Sequence, residues 1–213
     1  MNLLRNWKAT KNNKLRIKSI LKSRWALSTV VTTLIILVIS VLLASVVTYF
    51  AINVVSTRVQ EEAVALTKQH IYHNSTALPG STSYSQATLM IINTGGRDLV
   101  IDRIAVRGQE CAWNDTSTNK IVYYTVTTDP MSSDMSYISN FNLTGTNTVT
   151  FGSYSYNFNR ATNDLTLKSG YTMMVYILNP DSITINDIGL TVSITLYTAQ
   201  AMYYRETNVQ AIE

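Results

Sequence analysis

The sequence predicts an α+β chain, with one long apolar N-terminal helix followed by an antiparallel β-sandwich of immunoglobulin-like size. Three observations carry that expectation. The first is an uncharged run of 29 residues, Leu27 to Val55, reading LSTVVTTLIILVISVLLASVVTYFAINVV. The second is a change of texture from Ser81 onward, where short alternating stretches rich in Thr, Val, Ile and Tyr are separated by turn residues. The third is composition: 46% of the 213 residues are hydrophobic and 14% are charged, too apolar and too weakly charged for a disordered chain.

The net charge of +4 is the sum of two unlike regions. Residues 1–26 hold eight of the 17 cations (Arg5, Lys8, Lys11, Lys14, Arg16, Lys18, Lys22, Arg24) and no acid. The remaining 187 residues hold nine cations against all 13 acids, a balance of −4. The basic character therefore belongs to the N-terminal segment, and no nucleic-acid partner is expected of the folded part. One cysteine, Cys111, leaves no intrachain disulfide and no multi-thiolate metal site. Two histidines, His70 and His73, leave little material for acid–base chemistry.

No Asp, Glu, Lys or Arg stands between Arg24 and Arg58. At about 1.5 Å per residue the Leu27–Val55 run extends roughly 43 Å as a helix, beyond the ~30 Å hydrocarbon core. It is too long for the ~7–15-residue apolar region of a secretory signal, and no A-x-A-like site follows it. The upstream cations place the N-terminus in the cytoplasm and the C-terminal part outside. A plain signal anchor shares these features. Past the run, Val55, Val59, Ala63 and Leu66 recur at helical spacing through STRVQEEAVALTKQH. No Gly or Pro occurs between Leu27 and Leu78, so a nearly unbroken helix of about 45 residues is expected within 27–77. Glu61, Glu62 and Lys68 would form the polar face of its extension. The apolar part also carries Ser28, Thr29, Thr32, Thr33, Ser40, Ala44, Ser45 and Thr48. Small residues let helices approach closely, and hydroxyls can bond to carbonyls of their own helix.

Residues 78–213 read as the β-domain. Candidate strands are Gln86–Asn93, Leu99–Arg107, Lys120–Thr127, Thr148–Tyr156, Asp164–Lys168, Thr172–Leu178 and Leu190–Thr198, with Met202–Arg205 extending the last. Asn93-Thr94-Gly95-Gly96 and Lys168-Ser169-Gly170 read as turns. Val100, Asp102, Ile104 and Val106 alternate with Ile101, Arg103, Ala105 and Arg107, giving one face that is apolar except at Asp102. Seven or so strands over roughly 130 residues fit the sandwich architecture. The pairs Tyr123-Tyr124 and Tyr203-Tyr204 suit packing between strands or at subunit contacts.

Candidate chemistry is sparse. His70 and His73, three apart, would share one face of a helix as a possible metal pair; a solvated neck segment is the plainer reading. Cys111 has no nearby His and reads as a small buried or exposed residue. Asp181, Ser182 and Asp187 in NPDSITIND suggest either oxygen ligands for a cation or ordinary turn chemistry. Phosphate-loop, triad and paired-carboxylate signatures are absent from the sequence, so no catalytic, cofactor or metal residue is assigned and no enzyme is expected. Three N-x-S/T sequons begin at Asn74, Asn114 and Asn142, all on the outer side by the expected orientation.

The junction Arg24-Trp25-Ala26-Leu27-Ser28-Thr29-Val30-Val31 resembles the class III signal peptides of archaeal type IV pilins, in which a basic leader ends in a small residue at the start of the apolar helix. Trp25 displaces the basic residue that directly precedes the small one in that pattern. The resemblance implies that a prepilin peptidase cuts between Ala26 and Leu27 and leaves the helix on the mature protein. Bacterial pilins carry a glutamate at the fifth mature position; here Val31 stands there and the first acid is Glu61, as is common in the archaeal branch. The stretches IINTGGRDLVIDRIAV and LKSGYTMMVYILNP are similar to the early hairpin and the later turn-plus-strand of archaeal pilins and archaellins. By resemblance, residues 1–26 are a removed leader, 27–77 the membrane and filament-core helix, and 78–213 the extracellular domain. The implied function is a structural subunit of an adhesive surface filament, made first as a single-pass precursor in the cytoplasmic membrane. The implied partners are identical subunits in a helical homopolymer, the peptidase, an assembly ATPase and a membrane platform protein. Two alternatives share the architecture: an archaellin-type motility subunit, and a membrane-anchored binding or accessory protein that never polymerises.

Overall fold

A computed structural model describes residues 3–59, 61–76, 84–129, 131–141, 143 and 145–212, with the side chains of residues 3–26, 58 and 59 outside that description. The chain divides into two units, Met1–Ser56 and Thr57–Glu213. The first is built on α1 (Leu3–Val59), a helix of 57 residues that no Gly or Pro interrupts. Its hydroxyls turn back onto its own backbone. Thr32 donates to the Ser28 carbonyl at 2.9 Å, Ser40 to Ile36 at 2.7 Å, Ser45 to Val41 at 2.8 Å and Thr48 to Ala44 at 2.7 Å.

The second unit is β-rich. Its strands are β1 (Val64–Asn74), β2 (Ser85–Asn93), β3 (Leu99–Val106), β4 (Gln109–Glu110), β5 (Asn114–Asp115), β6 (Lys120–Thr127), β7 (Asn147–Phe151), β8 (Tyr154–Arg160), β9 (Leu165–Leu167), β10 (Thr172–Leu178), β11 (Thr191–Thr198) and β12 (Met202–Ile212). They form one sheet in the order β4-β3-β11-β12-β1-β2-β10-β6-β8-β7, with β5 beside β6 and β9 beside β3. Every pairing is antiparallel except β1 with β12. The architecture is α+β, a long apolar helix and a large, mostly antiparallel sheet.

Three details differ from the sequence expectation. The helix does not run through 27–77: α1 ends at Val59, and residues 64–74 are strand β1. Val64, Ala65, Leu66 and Thr67 pair with Asn93, Ile92, Ile91 and Met90, while Ile71, Tyr72 and His73 pair with both β2 and β12. Ladders on both sides and burial of Leu66 and Ile71 outweigh a helical periodicity of a few residues. The apolar face of β3 also switches along its length. Leu99 and Ile101 are buried, Asp102 and Arg103 are exposed, and Ile104, Ala105 and Val106 are all buried. A register shift opposite Tyr197 and Thr198 causes the switch, because an extra residue carries the following side chains to the other face. Finally, the single candidate strand 148–156 is the hairpin β7–β8, which turns at Gly152 with φ of 61°.

Strands β2, β6 and β10 are covered on both faces. Leu89, Ile91, Val122, Val175 and Ile177 pack with Leu99, Ile101, Ile194 and Leu196 in one core. Met90, Tyr123, Met174 and Tyr176 pack on the other side with Met135, Phe141, Phe151 and Phe158. All seven residues of β10 are buried, which is why TMMVYIL reads as a continuous apolar run and not as an alternation.

The passage from α1 into β1 is clamped. The amides of Thr94 and Gly95 donate to the Ala63 carbonyl at 2.9 and 3.0 Å, Tyr203 Oη donates to the Glu62 carbonyl at 3.3 Å, and Thr198 Oγ1 donates to the Glu62 carboxylate. Gly95 is required by this close approach. A Cβ there would lie 2.7 Å from Ala63 N and 2.8 Å from Glu61 O, both backbone atoms. Gly95→Ala is expected to destabilise the domain by about 1–3 kcal/mol, read as a lower denaturation midpoint of the full chain in detergent. An unchanged midpoint would show that the clamp contributes nothing.

Candidate functional site

The largest candidate site is the surface of α1 itself. Leu27–Thr57 is 31 residues long and its most apolar 18-residue stretch has a mean hydropathy of 2.9, long and apolar enough to cross a membrane, and none of that stretch is buried. Leu34, Leu37, Leu42, Val46, Phe50 and Ile52 are between 60 and 69% exposed, so apolar side chains stand on every face of the helix. A helix apolar all round belongs in a bilayer or inside a larger assembly. Because the hydroxyls bond to their own carbonyls, that surface presents few unsatisfied polar groups to lipid or to another helix. The expected cleavage position, Ala26–Leu27, lies inside α1; Leu27 is exposed and the Ala26 side chain is outside the description. A peptidase acting there must first open that turn of helix.

The sequons differ in accessibility. Asn114 is exposed in β5, beside a turn that Asp115 organises by accepting bonds from Ser117 Oγ and Thr118 Oγ1, both at 2.6 Å. Those hydroxyl bonds hold the Asp115 carboxyl down to about 2. Asn74 is half-buried at the end of β1; its Oδ1 accepts from Thr76 N at 3.0 Å and Thr76 Oγ1 at 2.8 Å. Asn142 lies outside the described residues.

The histidines do not form a pair. They sit on β1, not on a helix, and three residues apart along a strand puts them on opposite faces. His70 Nε2 donates to Asp134 at 2.8 Å, and buried His73 Nδ1 donates to the Tyr84 carbonyl at 2.9 Å. The residues in NPDSITIND are likewise engaged. Asp181 pairs with Lys120, and Ser182 Oγ donates to the Val106 carbonyl at 2.8 Å. Asp187 accepts from Thr184 N at 2.8 Å, Thr184 Oγ1 at 2.7 Å and Arg107 at 2.5 Å. Burial opposes ionisation of Asp187, but these donors outweigh it and hold its carboxyl below the ordinary 3.8. No group of three or more His, Cys, Asp or Glu is placed to hold a metal among the described residues. Cys111 is buried, and burial pushes its thiol up to about 12.

Sequence reasoning missed the segment 131–138, which has no regular structure yet is fastened along β1, β2 and β10. Lys68, in a left-handed bulge with φ of 51°, donates to the Ser132 and Ser133 carbonyls at 2.8 and 2.7 Å. Tyr72 Oη donates to Met135 O and Tyr176 Oη to Ser136 O, each at 2.8 Å. The Gln86 amide both accepts from Ile138 N at 3.0 Å and donates to its carbonyl. Burial, then the charge of Asp134, pushes the Tyr72 phenol up to about 12, so it remains a donor at any physiological pH. The MSSDMSYIS stretch carries no periodicity, so only its Met131 and Met135 hinted at burial.

No family model and no curated protein matches the chain. Among solved structures, one described as the copper-bound PCuAC domain from PmoF2 is similar at 11% identity and a TM-score of 0.30, covering 72% of this chain and 100% of that one. A similarity of that size carries no argument about fold or ligand.

The Asp187 site gives a pH-dependent test. Its folded carboxyl titrates below the unfolded one, so its contribution is full above about pH 4 and is lost as the pH falls through the folded value. Asp187→Asn is expected to lower stability by about 1–3 kcal/mol at pH 7, mostly through the lost Thr184 bonds, since Arg107 is half-exposed. The gap between wild type and variant should narrow on acidification towards about pH 3, followed by denaturant titration at both pH values. A gap that stays constant would remove the carboxylate from the account.

Proposed function

We propose that the chain is a structural subunit, an archaeal type IV pilin-like protein whose apolar helix first anchors it in the membrane and then packs with identical helices in the core of a surface filament. The observation that carries the reading is the α1 surface: a continuous apolar cylinder over Leu27–Thr57 with no charged residue, preceded by eight cations and joined to a folded β-unit. A length of about 46 Å exceeds the ~30 Å that a bilayer alone requires. The excess and the small residues Ala44, Ser28 and Ser45 suit close helix–helix contact. The contact between identical helices is heterologous, one surface meeting a different surface of the next copy, and so it does not close.

On this reading the basic leader keeps residues 1–26 in the cytoplasm, and prepilin peptidase removes them at Ala26–Leu27. An assembly ATPase and a platform protein then lift the helix from the bilayer. The β-unit is read as an immunoglobulin-like sandwich, β3, β9 and β11 facing β2, β6 and β10 across the Leu89–Val175 core, and forms the outer sheath of an adhesive, glycosylated filament. Exposed Asn114 is its first glycan acceptor.

The experiment is intact-mass and N-terminal analysis of material sheared from the surface of the native host. The expected result is a mature start at Leu27 in the sheared fraction, with added mass that Asn114→Gln reduces. Full-length chain found only in the membrane fraction would overturn the pilin reading in favour of an anchored, non-polymerising protein. Loss of swimming with intact attachment in a deletion strain would favour the motility filament instead.

A further inference from the structure

A cleft of about 360 Å³ opens between the end of β6, the start of the fastened 131–138 segment and the tip of the β7–β8 hairpin. Its two sides differ in chemistry. The hairpin side presents Tyr154, 69% exposed, and Tyr156, half-buried, over a floor made by the buried ring of Phe151. The opposite side presents Asp129 with the hydroxyls of Thr127 and Ser133. Asp129 N donates to Thr127 Oγ1 at 3.3 Å, which fixes the turn, while its carboxylate meets no cation among the described residues.

The walls are held before any ligand arrives. Lys68 fixes the Ser132 and Ser133 carbonyls from beneath. A Cβ on Gly152 would come within 3.2 Å of Ser133 Oγ, so the hairpin turn and the segment are already in close approach. Thr148–Asn157 and Thr150–Ser155 side-chain bonds brace the outer face of the hairpin at 2.8 and 2.9 Å. A preformed cleft avoids the cost of ordering its walls on binding.

Among the described residues no Lys or Arg lines this cleft and its one charge is negative, so an anionic ligand is disfavoured. Aromatic rings beside hydroxyls and a carboxylate suit a ligand with an apolar face and a polar rim. We propose that this cleft binds a neutral saccharide, one pyranose ring stacking its C–H face on Tyr154 while adjacent hydroxyls donate to the Asp129 carboxylate and exchange bonds with Thr127 and Ser133. The volume falls at the low end of the ~300–1,000 Å³ of ligand pockets, room for one or two sugar rings. A quaternary ammonium would ask for ring faces on several sides. Phe151 does not supply one, because its ring is 4% exposed and stacks on Tyr176 with centroids 6.4 Å apart. The inference is independent of the filament reading: a chain that binds sugar and never polymerises keeps the one and loses the other.

The test uses the full chain in a polyoxyethylene detergent, which has no sugar headgroup to compete. Methyl glucoside, methyl mannoside, methyl galactoside and N-acetylglucosamine serve as probes in saturation-transfer difference NMR, with choline alongside. At least one saccharide is expected to bind with a millimolar or tighter Kd. Tyr154→Ala and Asp129→Asn should each weaken it by about tenfold or more, and Tyr154→Phe, which keeps the ring, should retain it. Both side chains are exposed, so unchanged denaturation midpoints are expected to accompany the loss. Absence of saccharide binding at about 10 mM, binding that both variants leave unaltered, or binding of choline alone would each overturn the proposal.

Discussion

The pairing of β1 with β12 is the contact on which the rest of the β-unit depends. The first strand after the helix and the last strand of the chain run parallel, Ile71 opposite Val209 through Asn74 opposite Ile212. Over its first seven residues, β12 pairs instead with β11. One strand therefore joins β3, β4, β9 and β11 to the remaining strands, and without it the sheet order breaks in two. The same pairing decides the place of β1 in the sheet. β1 is bonded to β2 on one side and β12 on the other, so it lies within the sheet and not at an edge.

Local chemistry fastens the residues that lead into β1. Glu62 and Ala63 are held by Thr94, Gly95, Thr198 and Tyr203, side chains and amides drawn from three separate parts of the chain. Five residues beyond Ala63, Lys68 takes a left-handed conformation that a side chain adopts at some cost. Its ammonium then caps two carbonyls, which offsets that cost and fastens 131–138. Asn179 does comparable work at the other end of β10. It is fully buried with φ of 48°, its Oδ1 accepts from the Tyr84 and Ser85 amides, and its Nδ2 donates to the Asn119 carbonyl. Asparagine tolerates this backbone and carries both a donor and an acceptor, so one residue binds three strand ends.

Legibility in the sequence followed the length of the pattern. Strands β2, β6, β10 and β11 were readable within a residue or two, and the apolar run of α1 was readable though the ends of the helix were not, because each carries a sustained run or alternation that one burial environment explains. Val64–Asn74 was misread because Val59, Ala63 and Leu66 happen to match a helical period, and nothing local announces a strand partner more than 130 residues away at Val209. Only Met202–Arg205 of β12 was visible, since MYYRETNVQAI is exposed at most of its positions and shows little hydrophobic pattern. The candidate sites were less legible still. Sequon positions are a matter of spelling, but their exposure is tertiary: Asn114 stands out and Asn74 is half-covered. The pairing of Asp187 with Arg107, or of His70 with Asp134, joins residues that are 80 and 64 positions apart and leaves no trace in either neighbourhood.

The surface of α1 constrains what the chain can be, whatever its partners are. In lipid, the hydrophobic effect gives one apolar helix no reason to prefer another, so association there rests on packing and on small residues that permit close approach. In water the balance reverses, since each exposed Å² of apolar surface costs roughly 25 cal/mol. A cylinder with Leu, Val, Ile and Phe on every face therefore has no stable state as a free monomer in water. It must be covered by acyl chains or by other helices, and no intermediate degree of cover is favourable. A helix covered by only one neighbour would still expose most of its circumference, so a dimer does not satisfy it outside the membrane. Cover on all sides requires several neighbouring helices or a full shell of acyl chains. A bilayer and the interior of a larger assembly are thus the environments that suit such a surface.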